Sequence, residues 1–308
     1  MSMRMVQGEI IEEDKKREDD DLDDIFADVG IMMEGSHAST LKHFEWPLSP
    51  STHADSPSRG KPKKPIHVAI HVVDDEPGAI QSGHYLWPAS PALCDFVISH
   101  FQQQQKYHRP KSILELGAGC GLVSLVALQL FASTCQCLVV TDHDPGTLQR
   151  ARDNHETTLE ELYERAETEE EQYDCINRLG SIPVHFLNLV WGKPVSLIEE
   201  TVNEHDEEAF DLILGSDLIY DTGVVRPLLE TAGQLLSTTR PDAKFLLSQS
   251  FVYDDVTETE IDNVAAQLQL ERVIHKDTLA EQGGIRIQEF RRKPIEQDEE
   301  TKQEEDSK

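Results

Sequence analysis

The chain has 308 residues, with 58 acidic and 28 basic side chains and a formal net charge of −30. About two thirds of this excess lies in residues 9–28, 156–174 and 296–308, which together carry −21, so the rest of the chain is only modestly acidic. Nucleic acid is not expected as a partner, because phosphate contacts require clustered Lys and Arg. No membrane contact is expected either, since no segment is apolar over the length that spans a bilayer.

The cysteines and the first residues predict an intracellular protein, in the cytoplasm, the nucleus or both. Five cysteines are an odd number, and Cys135 and Cys137 form a C-x-C pair with no second pair nearby. Reduced thiols are therefore expected, and no metal site is predicted. The N-terminal residues lack the apolar centre of a secretory signal.

The composition divides the chain into three regions. Residues 1–65 are acidic and then rich in Pro, Ser and Lys, which predicts disorder. Two short apolar pieces, residues 25–33 and 41–48, could dock on the folded domain or on a partner. Residues 66–293 are expected to form the folded domain, and residues 294–308 an acidic disordered tail.

Strand and helix patterns alternate through residues 66–293. Strands are predicted at residues 66–73, 112–116, 137–142, 183–191, 210–216, 243–252 and 285–293, with helices between most of them. The helix from Pro145 has Asp144 as its expected N-cap, and residues 156–180 are expected to extend it with an acidic, solvated face. The alternation predicts a doubly wound, mostly parallel, seven-stranded Rossmann-like sheet with an antiparallel last strand and helices on both faces.

A glycine-rich turn follows the strand at residues 112–116 and contains Gly117, Gly119 and Gly121. In a doubly wound sheet, ligands bind beyond the carboxyl ends of such strands. A nucleoside triphosphate is disfavoured because no Lys follows the glycines, and a dinucleotide is disfavoured because Leu122 takes the place of the third glycine. Asp142 ends the next strand and can accept hydrogen bonds from a ribose diol, which suits NAD and S-adenosylmethionine alike.

Three further pieces of sequence narrow the choice of ligand. ILELGAGCGLVSLVA (residues 113–127) and VVTDHDP (139–145) are joined by GHYLWPAS (83–90), LVWG (189–192) and GSDLIYD (215–221). In their order along the chain, these pieces resemble the seven-strand, S-adenosylmethionine-dependent methyltransferases, and among these the methyltransferase-like protein lysine methyltransferases. That family carries an acid-x-x-aromatic motif after its fourth strand, which stands here as Asp217 to Tyr220.

The resemblance implies a role for each matching residue. The cofactor site is expected to comprise Trp87 in the pocket wall, Glu115 steadying the turn, Gly117, Ala118 and Gly119 under the amino-acid end of the cofactor, Asp142 on the ribose, Trp191 beside the adenine, and Ser216. Family members often have Asp before this tryptophan, whereas this chain has Val190, so its contacts with the adenine are expected to differ.

The resemblance implies methyl transfer from S-adenosylmethionine to a protein nitrogen, with the lysine ε-amine favoured. Asp217 and Tyr220 are the expected catalytic pair: the carboxylate orients the amine, and the ring supplies a wall and a hydroxyl acceptor. In-line transfer to a neutral nitrogen requires no metal. Arginine, a small-molecule amine, a nicotinamide-dependent dehydrogenase and a non-catalytic binding module remain open, as does the oligomeric state. The acidic segments predict that a basic protein substrate is attracted at low salt.

Overall fold

The computed structural model describes residues 39–48, 64–74, 82–103, 109–203 and 209–293. In chain order the strands of this part are β1 (Ser39–Trp46), β2 (Ile66–Val73), β3 (Ser112–Leu116), β4 (Cys137–Asp142), β5 (Val184–Asn188), β6 (Leu212–Ser216), β7 (Lys244–Gln249), β8 (Leu270–Asp277) and β9 (Arg286–Arg292). The helices are α1 (Ala89–Gln103), α2 (Leu122–Leu130), α3 (Pro145–Glu164), α4 (Glu169–Arg178), α5 (Ser196–Asn203), α6 (Val225–Leu235) and α7 (Asp255–Gln267).

The central feature is a seven-stranded sheet in the order β5-β4-β3-β6-β7-β9-β8. The first five strands of this order are parallel to one another, and β9 lies antiparallel between β7 and β8. This confirms the predicted mostly parallel sheet with an antiparallel last strand. The order reverses at β3, because the chain builds outward on one side through β4 and β5 and then returns to the other side with β6.

Helices cover both faces of the sheet, as predicted. Along β3, Ile113 belongs to the apolar cluster that contains residues of α1 and α2, whereas Leu114 and Leu116 belong to the cluster that contains residues of α6 and α7. Adjacent residues of a strand point to opposite faces, so a strand covered on both sides carries apolar residues on both of its faces. This explains why the run SILEL has no polar alternation.

The strand predicted at Ile66–Val73 is confirmed, but it does not join the large sheet. It pairs antiparallel with β1 in a separate two-stranded sheet, from Ser39 opposite Val73 to Trp46 opposite Ile66. Helix side chains meet its other edge: the backbone N–H of Ala69 donates to Thr158 Oγ1 at 3.2 Å and that of His71 to Asn154 Oδ1 at 2.7 Å. These bonds replace a second strand, because buried backbone groups need partners.

Two strands, β1 and β8, lie where no strand was predicted from the sequence. Residues 39–46 lie in the region predicted to be disordered, yet they form β1, whose pairing with β2 depends on contacts that local composition does not reveal. The seventh strand of the large sheet is β8, which was not predicted because its sequence LERVIHKD is charged and its second half is exposed. The rest of residues 1–65, including 25–33, and the tail 294–308 lie outside the described residues.

The region predicted as an acidic helical extension contains the end of α3 and the whole of α4. Asp144 caps α3 by accepting a hydrogen bond from Thr147 N at 2.6 Å, and α4 begins with Glu169, Glu170 and Glu171 in its first turn. In the described part of the chain, no helix has the length and apolar character needed to cross a membrane.

Candidate active site

The carboxyl ends of β3, β4 and β6 meet at the centre of the large sheet, where the strand order reverses. The glycine turn follows β3, Asp142 is the last residue of β4, and Asp217 directly follows β6. Open α/β sheets bind ligands at such a reversal point. The fold therefore brings the glycine turn and both predicted acids to one edge, although they are far apart in the sequence.

The turn requires glycine for two separate reasons. Gly117 and Gly119 have φ angles of +56° and +54°, a region that costs an ordinary L-residue about 1–2 kcal/mol. A Cβ atom on Gly117 would also lie 2.6 Å from Leu218 Cδ2, and one on Gly119 would lie 3.2 Å from Gly83 O. Ala118 between them is held by its backbone N–H, which donates to Thr141 O at 2.9 Å.

Glu115 is buried beneath the turn. Its Oε2 accepts a hydrogen bond from Ser124 N at 3.0 Å, in the first turn of α2. Burial raises the pKa of the Glu115 carboxyl to about 8, opposed by the hydrogen bonds from Ser124. This contact joins β3 to α2 across the glycines.

Asp142 is nearly buried and its carboxylate is tied to the turn. Oδ2 accepts from Gly119 N and Oδ1 from Asp144 N, both at 3.1 Å. His143 Nδ1 lies 3.3 Å from Oδ1, and this hydrogen bond raises the pKa of His143. A carboxylate offers about four acceptor positions, so Asp142 keeps capacity for a further donor.

Asp217 stands at the junction of three elements. Its φ is +55°. Its Oδ1 accepts from Ser250 N at 2.6 Å, and its Oδ2 from Ser250 Oγ at 2.8 Å and from Ala89 N at 3.2 Å. Burial raises the pKa of this carboxyl, while the Ser250 hydrogen bonds act in the opposite direction. The carboxylate thus fastens the end of β6 to the end of β7 and to the start of α1.

Tyr220, three residues later, lies in a different environment. Its side chain is 64% exposed. Partial desolvation of the hydroxyl, with the negative charges of Asp221 and Asp142, raises the pKa of Tyr220. The phenol therefore stays protonated at neutral pH and can both donate and accept a hydrogen bond. The two residues of the motif are differently placed: Asp217 is partly buried and bonded, and Tyr220 faces solvent.

The remaining predicted residues differ in whether they contact the glycine turn. Trp191 lies against it, since its Cζ2 is 3.3 Å from the position of a Cβ on Gly117. Ser216 Oγ is 2.7 Å from Ser90 Oγ at the start of α1. Trp87 is half-buried and its indole N–H donates to Ser82 O at 3.0 Å, which fixes the segment before α1 but is not a contact with the turn.

Sequence reasoning missed the residues that hold Asp217. Ser250 follows β7 at the same edge of the sheet, so the argument that singled out Asp142 and Asp217 also applies to it.

Tyr253 also lies near the motif, but no feature of the sequence around it indicated a place in the site. Its hydroxyl is buried and has no hydrogen-bond partner in the described part of the chain, and burial, followed by the charge of Asp217, raises its pKa. A buried phenol near the motif is thus part of the site's surroundings.

The sheet order and the glycine turn define a protein of the seven-strand methyltransferase class. Residues 69–250, more than half of the chain, match the family model described as lysine methyltransferase, and the chain belongs to that family. The membership confirms the family and the enzyme class predicted from the sequence motifs.

Curated relatives support this membership. The chain is 26% identical over 206 residues to the protein N-terminal and lysine N-methyltransferase EFM7 of Gibberella zeae, covering 66% of this chain and 68% of that protein. It is 29% identical over 195 residues to EFM7 of Candida albicans, covering 62% and 65%. It is 27% identical over 169 residues to the protein N-lysine methyltransferase METTL21A of Danio rerio, covering 55% and 61%. About a third or more of each relative thus lies outside the match.

Proposed function

We propose that the protein transfers a methyl group from S-adenosylmethionine to the ε-amine of a lysine in a protein substrate. The observation that carries this proposal is the meeting of the glycine turn, Asp142 and the Asp217 to Tyr220 motif at the reversal point of the sheet, in a chain of the lysine methyltransferase family.

The residues of the turn fit this cofactor. The two glycines expose backbone at the end of β3, and any Cβ on Gly117 would collide with neighbouring side chains. Asp142 has acceptor capacity left for the ribose diol, and Trp191, beside Gly117, offers an aromatic face to the adenine. Trp87 and Ser216 complete the proposed pocket. When bound, S-adenosylmethionine supplies a sulfonium-linked methyl group that is already reactive.

The chain's own residues then have to hold a neutral amine and exclude water. Tyr220 is proposed to touch the substrate, because its protonated hydroxyl can accept a hydrogen bond from the amine while its ring forms one wall. Asp217 is proposed as a positioning residue. Its three hydrogen bonds hold the turn that carries Tyr220. A dry pocket favours the neutral amine by desolvation.

The names of the relatives suggest a second acceptor. EFM7 proteins are named for both N-terminal and lysine methylation, so the α-amine of a protein N-terminus is a candidate beside the lysine ε-amine. The two amines differ in pKa, about 8 for an α-amine and about 10.4 for lysine. Methylation of an N-terminus should therefore saturate at a lower pH than methylation of lysine.

The substrate is proposed to be a basic protein, met inside the cell. The first turn of α4 holds three consecutive glutamates, and negative surface charge speeds the encounter with a basic partner at low ionic strength. Raising the salt concentration from 50 to roughly 500 mM, where the screening length falls to a few ångströms, should slow methylation of a basic substrate more than that of a neutral peptide. Equal slowing would contradict this part of the proposal.

The direct test is transfer of labelled methyl groups from S-adenosylmethionine to proteins of a cell extract, followed by mass spectrometry of the products. We expect methyllysine with the wild type and with Asp153→Ala, an exposed acid on α3 that serves as the matched control, and loss of labelling with Asp142→Ala. Blocking the N-terminus of a substrate peptide, or replacing its lysine by arginine, assigns the acceptor. Label found only in methylarginine would contradict the proposal.

A further inference from the structure

Three polar side chains from distant parts of the chain converge on one point away from the active site. Glu161 Oε2 lies 2.9 Å from His67 Nε2 and 3.2 Å from His43 Nδ1. All three atoms lie within 4.8 Å of one another. They come from β1, β2 and α3, so the cluster sits where the two-stranded sheet packs on the helix.

The spacing and the donor set suit a transition-metal ion. Zn²⁺ binds imidazole nitrogen and carboxylate oxygen at about 2.0–2.2 Å, which places neighbouring atoms of a tetrahedral site about 3.3–3.5 Å apart. The separations from Glu161 to the two histidines are already close to this value. Two imidazoles and one carboxylate favour Zn²⁺ or a similar ion over Mg²⁺ and Ca²⁺, which prefer oxygen ligands.

The cluster is buried on one side, at His67, and open to solvent on the other side, at His43. His67 is buried, the Glu161 side chain is 22% exposed and the His43 side chain is 50% exposed. The buried histidine and the helix fix two ligand directions, and the exposed histidine can adjust to bring its nitrogen to the ion. The open side leaves room for water as a fourth ligand, the arrangement of a three-ligand zinc site.

We propose that His43, His67 and Glu161 bind one divalent transition-metal ion of the Zn²⁺ type, and that this ion fastens β1 to α3. Glu161 lies 16 residues after the start of α3, about 24 Å along the helix axis at 1.5 Å per residue. The site is therefore remote from Asp142 and has a structural role. A further side-chain link from β1 to the end of this helix, Glu45 to Arg165 at 3.1 Å, is exposed, and exposed ion pairs contribute little.

The test is metal binding by the full chain, measured with a chromophoric competitor for Zn²⁺ and, separately, by the visible spectrum of bound Co²⁺. We expect one ion per chain, a tetrahedral Co²⁺ spectrum and a thermal midpoint that rises with Zn²⁺ concentration. His43→Ala and Glu161→Gln should each weaken binding at least tenfold. Glu160→Gln, the exposed neighbour on the same helix, is the matched control and should bind like the wild type.

These variants avoid the buried His67, so loss of folding does not obscure the result, and circular dichroism of each variant confirms that it folds. Two outcomes would overturn the proposal. One is the absence of stoichiometric Zn²⁺ binding. The other is binding that His43→Ala and Glu161→Gln leave unchanged, which would place the ion at another group of acidic residues. The proposal does not depend on the methyl transfer reaction, since none of its readouts involves activity.

Discussion

Replacement of Glu115 by glutamine should remove a pH dependence of stability that comes from one buried carboxyl. The pKa of Glu115 is raised from 4.5 to about 8 by burial. Between these values the folded state keeps a proton that the unfolded state releases, so stability is greatest below pH 4.5 and falls as the pH rises towards 8. The loss is about 1.4 kcal/mol per pH unit, or up to roughly 5 kcal/mol over the whole interval.

Glutamine has nearly the same shape as the protonated acid, and its oxygen can still accept from Ser124 N. We therefore expect Glu115→Gln to match the wild type at about pH 4.5–5 and to become progressively more stable than it up to pH 8. Urea denaturation at several pH values measures the difference, in which the titration of all other groups cancels. Glu160→Gln, on the exposed face of α3, controls for the loss of one negative charge. A difference that stays constant with pH would refute the reasoning.

Three further variants test the site. Tyr220→Phe should leave the midpoint of thermal unfolding unchanged, because the ring is exposed, but should lower the rate of methyl transfer at least tenfold. The control Tyr163→Phe should change neither quantity. If Tyr220→Phe were as active as the wild type, Tyr220 would have no role in the mechanism. Gly117→Ala should weaken S-adenosylhomocysteine binding more than Gly283→Ala does. Both glycines have a positive φ, but a Cβ atom would be crowded by neighbouring side chains only at Gly117. Equal affinity of the two variants would contradict the proposed role of the glycine turn in cofactor binding. Asp217→Asn should cost about 1–3 kcal/mol through unpaired donors, or several degrees in melting temperature; an unchanged melting temperature would contradict its fastening role.

Much of the fold could be predicted because the relevant signals are local. The run SILEL followed by glycines, and the acid at the end of β4, are features of neighbouring residues, and the alternation of strands and helices fixes a parallel sheet. The N-cap at Asp144 is likewise predicted by the sequence, because Asp144 and Pro145 directly precede an amphipathic helical pattern; the structure shows this cap. These features place the glycine turn and Asp142 at one edge without any knowledge of contacts.

What the sequence did not reveal depends on pairing between distant segments. β1 exists because β2 offers it a free edge, and residues 39–46 alone look like part of a linker. β8 lies at the border of the sheet, where one face is solvated and charged residues are tolerated. The hydrogen bonds of Asp217 to Ser250 and Ala89 join positions far apart in the chain, so the sequence suggested a free carboxylate where the structure has a bonded one.

The measurement that tests the central claim most directly is calorimetric titration of the protein with S-adenosylhomocysteine and, separately, with NAD. We predict micromolar binding of S-adenosylhomocysteine, no binding of NAD, and loss of the former in Asp142→Ala but not in the Asp153→Ala control. Binding of NAD would identify a different class of enzyme. Binding of neither ligand by the folded protein would mean that the glycine turn is only structural, and would contradict the proposed methyl transfer.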